Sequence, residues 1–305
     1  MSMPYRERRR ILQAMLAAGG CALAPPLLAQ QPLVTRPIPS SGEQLPVVGL
    51  GSWITFNVGN DAQARAACTE VVKAFFAGGG RLVDSSPMYG SAQSVIGEAL
   101  ARLGHPAALF AADKVWTSSG GPAQIETSRT LWRIPRFDLL QVHNLLAWDA
   151  QLPLLLRMKA TQRLRYVGIT TSEGRRHGEI VKLMESQPLD FVQISYNVLD
   201  REVENRILPL ARERRIAVIV NRPFRQGELT QALAGKPLPG WASEIGCSSW
   251  AQVLLKFIVS HPDVTCAIPA TSNPRHALDN MLAARGPMPD QALRRRIVAD
   301  VKRLT

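Results

Sequence analysis

The chain has 305 residues, 46% of them hydrophobic, and 36 Lys and Arg against 24 Asp and Glu give a formal charge of +12. That length suits one large domain or two small ones. No dense basic run with interleaved aromatics follows residue 30, and Arg175-Arg176, Arg214-Arg215 and Arg294-Arg295-Arg296 fall where surface helices are expected, so nucleic-acid binding is disfavoured.

Residues 1–30 read as a targeting peptide, with the folded domain over 31–305. Arg8-Arg9-Arg10-Ile11-Leu12-Gln13 resembles the twin-arginine export motif, followed by the apolar stretch Ile11 to Ala24, the breaker Pro25-Pro26 and a small residue at Ala29. The stretch is too short and too rich in Ala and Gly for a stable membrane span. These features predict the export machinery as a partner and a periplasmic or otherwise exported location, with a cytoplasmic one if the signal is not used. Loss of the first thirty residues, with four Arg and one Glu, leaves +9. Cys68, Cys247 and Cys266 lack metal-ligand spacing.

From residue 32 the chain alternates short apolar runs with longer amphipathic ones. Strands are expected at Val47 to Gly51, Arg81 to Asp84, Ala108 to Ala112, Phe137 to Val142, Arg165 to Ile169, Phe191 to Ile194, Ile216 to Val220 and Val264 to Ile268. Helices are expected over 62–77, 92–103, 122–133, 150–161, 174–186, 202–214, 249–260 and 274–284. Eight βα units in about 250 residues predict a single-domain (β/α)8 TIM barrel, with a doubly wound sheet as the alternative. The longest irregular connection runs from Asn221 to Gly246, and loops of that length are usually functional. Gly49-Leu50-Gly51-Ser52-Trp53-Ile54 starts a dinucleotide fingerprint but has Ile where the third Gly belongs.

In a TIM barrel, chemistry sits at the C-terminal strand ends. Three successive strand ends offer Asp84, Lys114 and His143, and Tyr89 follows Asp84 in the next loop. Each alone has an ordinary structural explanation; four on neighbouring strands suit carbonyl reduction. Tyr89 would be the general acid, Lys114 would lower its pKa, Asp84 would hold Lys114, and His143 would orient the substrate oxygen. Metal hydrolases, glycosidases and Gly-x-Ser-x-Gly hydrolases lack their required groups here.

Several blocks then resemble the aldo-keto reductase family, in the family's order: Val83-Asp84-Ser85-Ser86-Pro87-Met88-Tyr89-Gly90, Asp113-Lys114-Val115-Trp116, Gln141-Val142-His143-Asn144, Gly168-Ile169-Thr170-Thr171, Gln193-Ile194-Ser195-Tyr196-Asn197 and Ile268-Pro269-Ala270-Thr271-Ser272-Asn273-Pro274. The resemblance implies NADP(H) bound without a Rossmann fold, NAD(H) being possible, and assigns Asp84, Tyr89, Lys114 and His143 as a catalytic tetrad. It also points to Thr170, Thr171, Gln193, Asn221, Arg222, Thr271, Arg275 and Asn280 as cofactor contacts. Departures concern the cofactor: Thr171 stands where the family commonly has Asn, Asn221-Arg222 where an aromatic is common, Ala270 for a frequent Lys and His276 for a frequent Arg. Trp53, Trp116 and Trp148 are candidate walls of a pocket for a small carbonyl. The export motif supports a second reading, a cofactor-retaining redox-sensing or binding module with little turnover.

Overall fold

The computed structural model describes residues 31–305; the predicted twin-arginine motif lies outside them. A short antiparallel hairpin, β1 (Thr35–Pro37) and β2 (Gln44–Pro46), precedes the barrel. The barrel strands are β3 (Leu50–Gly51), β4 (Leu82–Asp84), β5 (Phe110–Val115), β6 (Leu139–Val142), β7 (Tyr166–Thr170), β8 (Phe191–Ser195), β9 (Ala217–Asn221) and β10 (Cys266–Ala267). They pair in parallel and in sequential order, which rules out the strand-order reversal of a doubly wound sheet. Parallel bridges Val48–Ala267 and Gly51–Ala270 join the last strand to the first. The result is the expected (β/α)8 TIM barrel.

Helices α1 (Ala62–Ala77), α2 (Ala92–Arg102), α3 (Gly121–Trp132), α4 (Trp148–Ala160), α5 (His177–Ser186), α6 (Ile207–Arg214), α8 (Trp250–Val259) and α9 (Pro274–Leu282) follow the successive strands. Two additions to the predicted set are α7 (Glu228–Ala232), inside the long connection after β9, and the C-terminal α10 (Gln291–Leu304). The helix expected over 202–214 is divided: Glu202–Glu204 forms a separate 3-10 turn before α6. Caps account for several starts, as the Asp61 carboxylate accepts from the Ala64 N–H ahead of α1 and Asp290 from Leu293 ahead of α10. Gly97 is needed where α2 meets α3, since a β-carbon there would lie 1.9 Å from the Leu131 carbonyl oxygen.

Period-two alternation divides every barrel strand between two cores. Outward residues such as Val83, Val142, Ile169 and Val192 pack under the helices. Inward residues near the strand starts, among them Leu82, Phe110, Leu139, Tyr166 and Phe191, fill the barrel together with Ile38 and Leu45 of the hairpin. The hairpin therefore seals the N-terminal end of the barrel. Chemistry is left to the other end.

Candidate active site

The same alternation carries polar groups inward at the C-terminal strand ends: Asp84 on β4, Lys114 on β5, Gln141 on β6, Thr170 on β7, Gln193 on β8 and Asn221 on β9. Strand register sets Lys114 beside Gln141 and Thr170 beside Gln193. Six residues of unlike character thus form one layer because they share strand parity.

Lys114 is buried, and its Nζ donates to Asp84 Oδ2 at 2.5 Å and to the Ser85 carbonyl at 2.8 Å. Asp84 Oδ1 accepts from Gln193 Nε2 at 2.9 Å and from Gln141 Nε2 at 3.3 Å. Burial works against the Lys114 charge, yet Asp84 and its neighbours outweigh it and hold the ammonium's pKa above its ordinary value. Breaking such a pair from one side leaves a buried charge uncompensated, which costs about 3–5 kcal/mol.

Tyr89 is delivered by the turn after β4. The Ser86 hydroxyl accepts from the Met88 N–H, Pro87 starts a 3-10 turn, and Gly90 turns back at φ 59°, where a β-carbon would strike Asn57. Lys114 Nζ lies 5.0 Å from the centroid of the Tyr89 ring, and the ring meets His143 edge-on at 5.7 Å. Burial pushes the Tyr89 phenol up, and Lys114, the largest opposing influence, does not cancel it. Lys114 thus acts in the expected direction, but the net shift is upward and not the expected lowering: Tyr89 keeps its proton at neutral pH. His143 is pulled down to about 2 by burial and by Lys114, so its imidazole is neutral. Its Nδ1 pairs with Ser86 Oγ at 2.7 Å.

These residues open onto a cavity of about 1040 Å³ lined by Asp84, Tyr89, His143 and Trp53 on one side. Of the expected cofactor contacts, Thr170, Gln193, Asn221, Arg222, Thr271 and Asn280 line it, whereas Thr171 and Arg275 do not; of the expected pocket walls, Trp53 lines it and Trp116 does not. Thr171 has the opposite parity to Thr170, and its hydroxyl donates to the Arg175 carbonyl. Arg275 is exposed in the first turn of α9, whose inner side is taken by Ala277, Asn280 and Met281. Trp116 is 41% exposed beyond the end of β5, its backbone pinned to the Gln124 side chain. Trp148 begins α4, packed against the outer core. Arg222 lines the wall but is engaged by Glu173 at 2.8 Å.

The aldo/keto reductase family model matches residues 47–295. The chain belongs to the aldo/keto reductase family. It is 27% identical over 248 residues to methylglyoxal reductase YeaE of Escherichia coli strain K12, spanning 79% of this chain and 86% of that protein. It is 26% identical over 241 residues to the NADH-specific methylglyoxal reductase of the same organism, 68% of this chain and 72% of that one. In fold it is similar to the aldo/keto reductase from Klebsiella pneumoniae crystallised with NADP and acetate, with a TM-score of 0.71 and 20% identity over 86% of this chain and 92% of the other.

Family membership makes this protein an NAD(P)-dependent oxidoreductase. Within it, the sequence reading passed over Gln141 and Ser86. Gln141 could have been found by parity, two positions after the inward Leu139 on β6 and therefore on the same face. Ser86 carries no such signal, because its partner His143 is 57 residues away. His276 and Asp279, which also line the cavity, follow Thr271 on α9.

Proposed function

We propose that the protein reduces a small aldehyde or ketone to an alcohol, with Tyr89 as the proton donor. The observation that carries this reading is the buried Lys114–Asp84 pair beneath the Tyr89 ring, with neutral His143 beside it at the mouth of the barrel. The wall fits a nicotinamide dinucleotide. Its volume exceeds the need of a small carbonyl alone, and amide and hydroxyl groups of Thr170, Gln193, Asn221, Thr271 and Asn280 are spaced along it. A reduced nicotinamide bound there supplies hydride to the carbonyl carbon.

The protein's own groups handle the oxygen. Neutral His143 donates a hydrogen bond that orients the carbonyl oxygen and favours the charge that grows on it. Tyr89 hands its proton to that oxygen, and Lys114 stabilises the phenolate left behind. Asp84, anchored by Gln141 and Gln193, keeps the ammonium aimed. Trp53, Ile54 and Met88 give this side an apolar wall suited to small uncharged carbonyls; the similarity to two methylglyoxal reductases supports the same class.

The test is Tyr89→Phe, which keeps the ring and removes the proton. Turnover of a small dicarbonyl or aldehyde falls by about 10²–10⁴-fold while dinucleotide binding persists; a variant that reduces carbonyls at the original rate defeats the mechanism. The N-terminal motif supports export of the folded enzyme by the twin-arginine route. Fractionation of cells carrying Arg8→Lys and Arg9→Lys checks this, with retention in the cytoplasm expected. Among the described residues no helix is long and apolar enough to cross a membrane.

A further inference from the structure

The cavity continues from Tyr89 and His143 to a wall built by the end of β10, which the Gly51–Ala270 bridge joins to β3, and by the first turns of α8 and α9. Nicotinamide chemistry requires the reactive ring beside Tyr89, so the β10 side is left for the adenosine half. This wall is poor in cations. Ala270 stands at the strand end, followed by Thr271, His276, Asp279 and Asn280, with Ser249 from the start of α8. The Asp279 carboxylate is fixed there, accepting from Ser249 Oγ and Gln252 Nε2, both at 2.6 Å.

Arginines are either off the wall or committed. Arg275 is exposed and does not line the cavity. Arg175 and Arg222 do line it, but both pair with the single carboxylate of Glu173, at 3.0 and 2.8 Å. They lie on the loops after β7 and β9, where they can serve the diphosphate common to both nicotinamide dinucleotides. Lys236 adds one exposed ammonium, a point charge without the planar fork that grips a phosphate. A 2′-phosphate would bring close to two further negative charges toward a fixed carboxylate.

We infer that this wall selects the dinucleotide with a free 2′-hydroxyl on its adenosine ribose, NADH over NADPH, and that Ala270 and Asp279 are the selecting residues. The inference rests on the reading that the cavity holds a nicotinamide dinucleotide. The hydroxyl and amide groups of Thr271, Ser249 and Asn280 match a neutral ribose, whereas a phosphate needs several charge-assisted donors and the wall offers only the exposed Lys236 ammonium.

Direct binding to the purified full-length protein tests it without turnover. Calorimetric titration with 5′-AMP and 2′,5′-ADP, and fluorescence titration with NADH and NADPH, are run at one fixed ionic strength. The unphosphorylated member of each pair binds at least about tenfold more tightly, the scale of one missing set of charge-assisted hydrogen bonds. Ala270→Lys narrows the 5′-AMP to 2′,5′-ADP ratio by about tenfold and makes 2′,5′-ADP binding more sensitive to salt. Equal or tighter binding of 2′,5′-ADP and NADPH by the unaltered protein overturns the selectivity while leaving the dinucleotide reading intact. Failure of all four nucleotides to bind overturns that reading, and the selectivity falls with it.

Discussion

Ser86 is placed to set which nitrogen of His143 carries the proton, through its contact with Nδ1 at 2.7 Å. With the imidazole pulled down to about 2, only one ring nitrogen is protonated at working pH. The Met88 N–H donates to Ser86 Oγ, so the hydroxyl hydrogen is available to donate to Nδ1, an arrangement that would keep the hydrogen of the ring on Nε2. That is the tautomer able to donate to a substrate oxygen. Ser86 is thus a positioning residue, and Ser86→Ala lowers kcat about tenfold, less than the 10²–10³ expected when an oxyanion donor itself is lost, with a smaller change in KM. Nitrogen chemical shifts of His143 provide the independent readout: they shift toward a mixture of tautomers in the variant. An unchanged tautomer with unchanged kcat would assign Ser86 to packing alone.

At the scale of the element, β5 shows what alternation costs when two charged residues adjoin. Lys114 points into the barrel, and Asp113 points outward under α2, fully buried, accepting from the Lys114 N–H at 2.8 Å and from Gln93 Nε2 at 2.7 Å. Burial raises the Asp113 carboxyl from 3.8 to about 7. The folded protein therefore holds a proton there that the unfolded chain has released between those two values. Stability from this group is fully present below pH ~4 and is lost as the pH rises through ~7, by roughly 4 kcal/mol at ~1.4 kcal/mol per pH unit. Asp113→Asn removes the titration. Urea unfolding at pH 5 and pH 8 will show wild-type stability falling with pH and a flatter response in the variant; parallel slopes would mean that Asp113 is ionised throughout.

For the whole molecule, closure depends on parts outside the eight repeats. The β1–β2 hairpin sends Ile38 and Leu45 into the barrel interior. Helix α10 buries Ile297, Val298 and Val301, and Arg294 ties it back to Tyr196 Oη at 2.7 Å and to the Phe257 carbonyl at the end of α8. Three buried aliphatic side chains at ~1.5–3 kcal/mol each make removal of residues 290–305 worth roughly 5–9 kcal/mol. The truncated protein should unfold at markedly lower urea or remain partly unfolded, with carbonyl reduction lost as a consequence. A truncation with an unchanged unfolding midpoint would show that α10 only decorates the barrel.

What could be read from the chain alone follows from local periodicity. Eight strand runs with intervening helices announced the barrel, and Asp84, Tyr89, Lys114 and His143 stood out as chemistry-bearing residues at strand ends. The parity of Asp84 and Lys114 was already written in their strands, since alternate residues of a strand face opposite ways; Tyr89 and His143 stand on the turns that follow. The protonation states were not. Tyr89 is raised rather than lowered because its burial outweighs a cation that could be foreseen, and burial is a property of the packed whole. Nor could the cavity wall be resolved from residue types: Thr170 and Thr171 are identical in kind but opposite in direction, and Arg275 faces solvent while Asn280 of the same helix is buried against the cavity. Such choices depend on which side of a strand or helix the rest of the molecule covers, and only the closed barrel decides that.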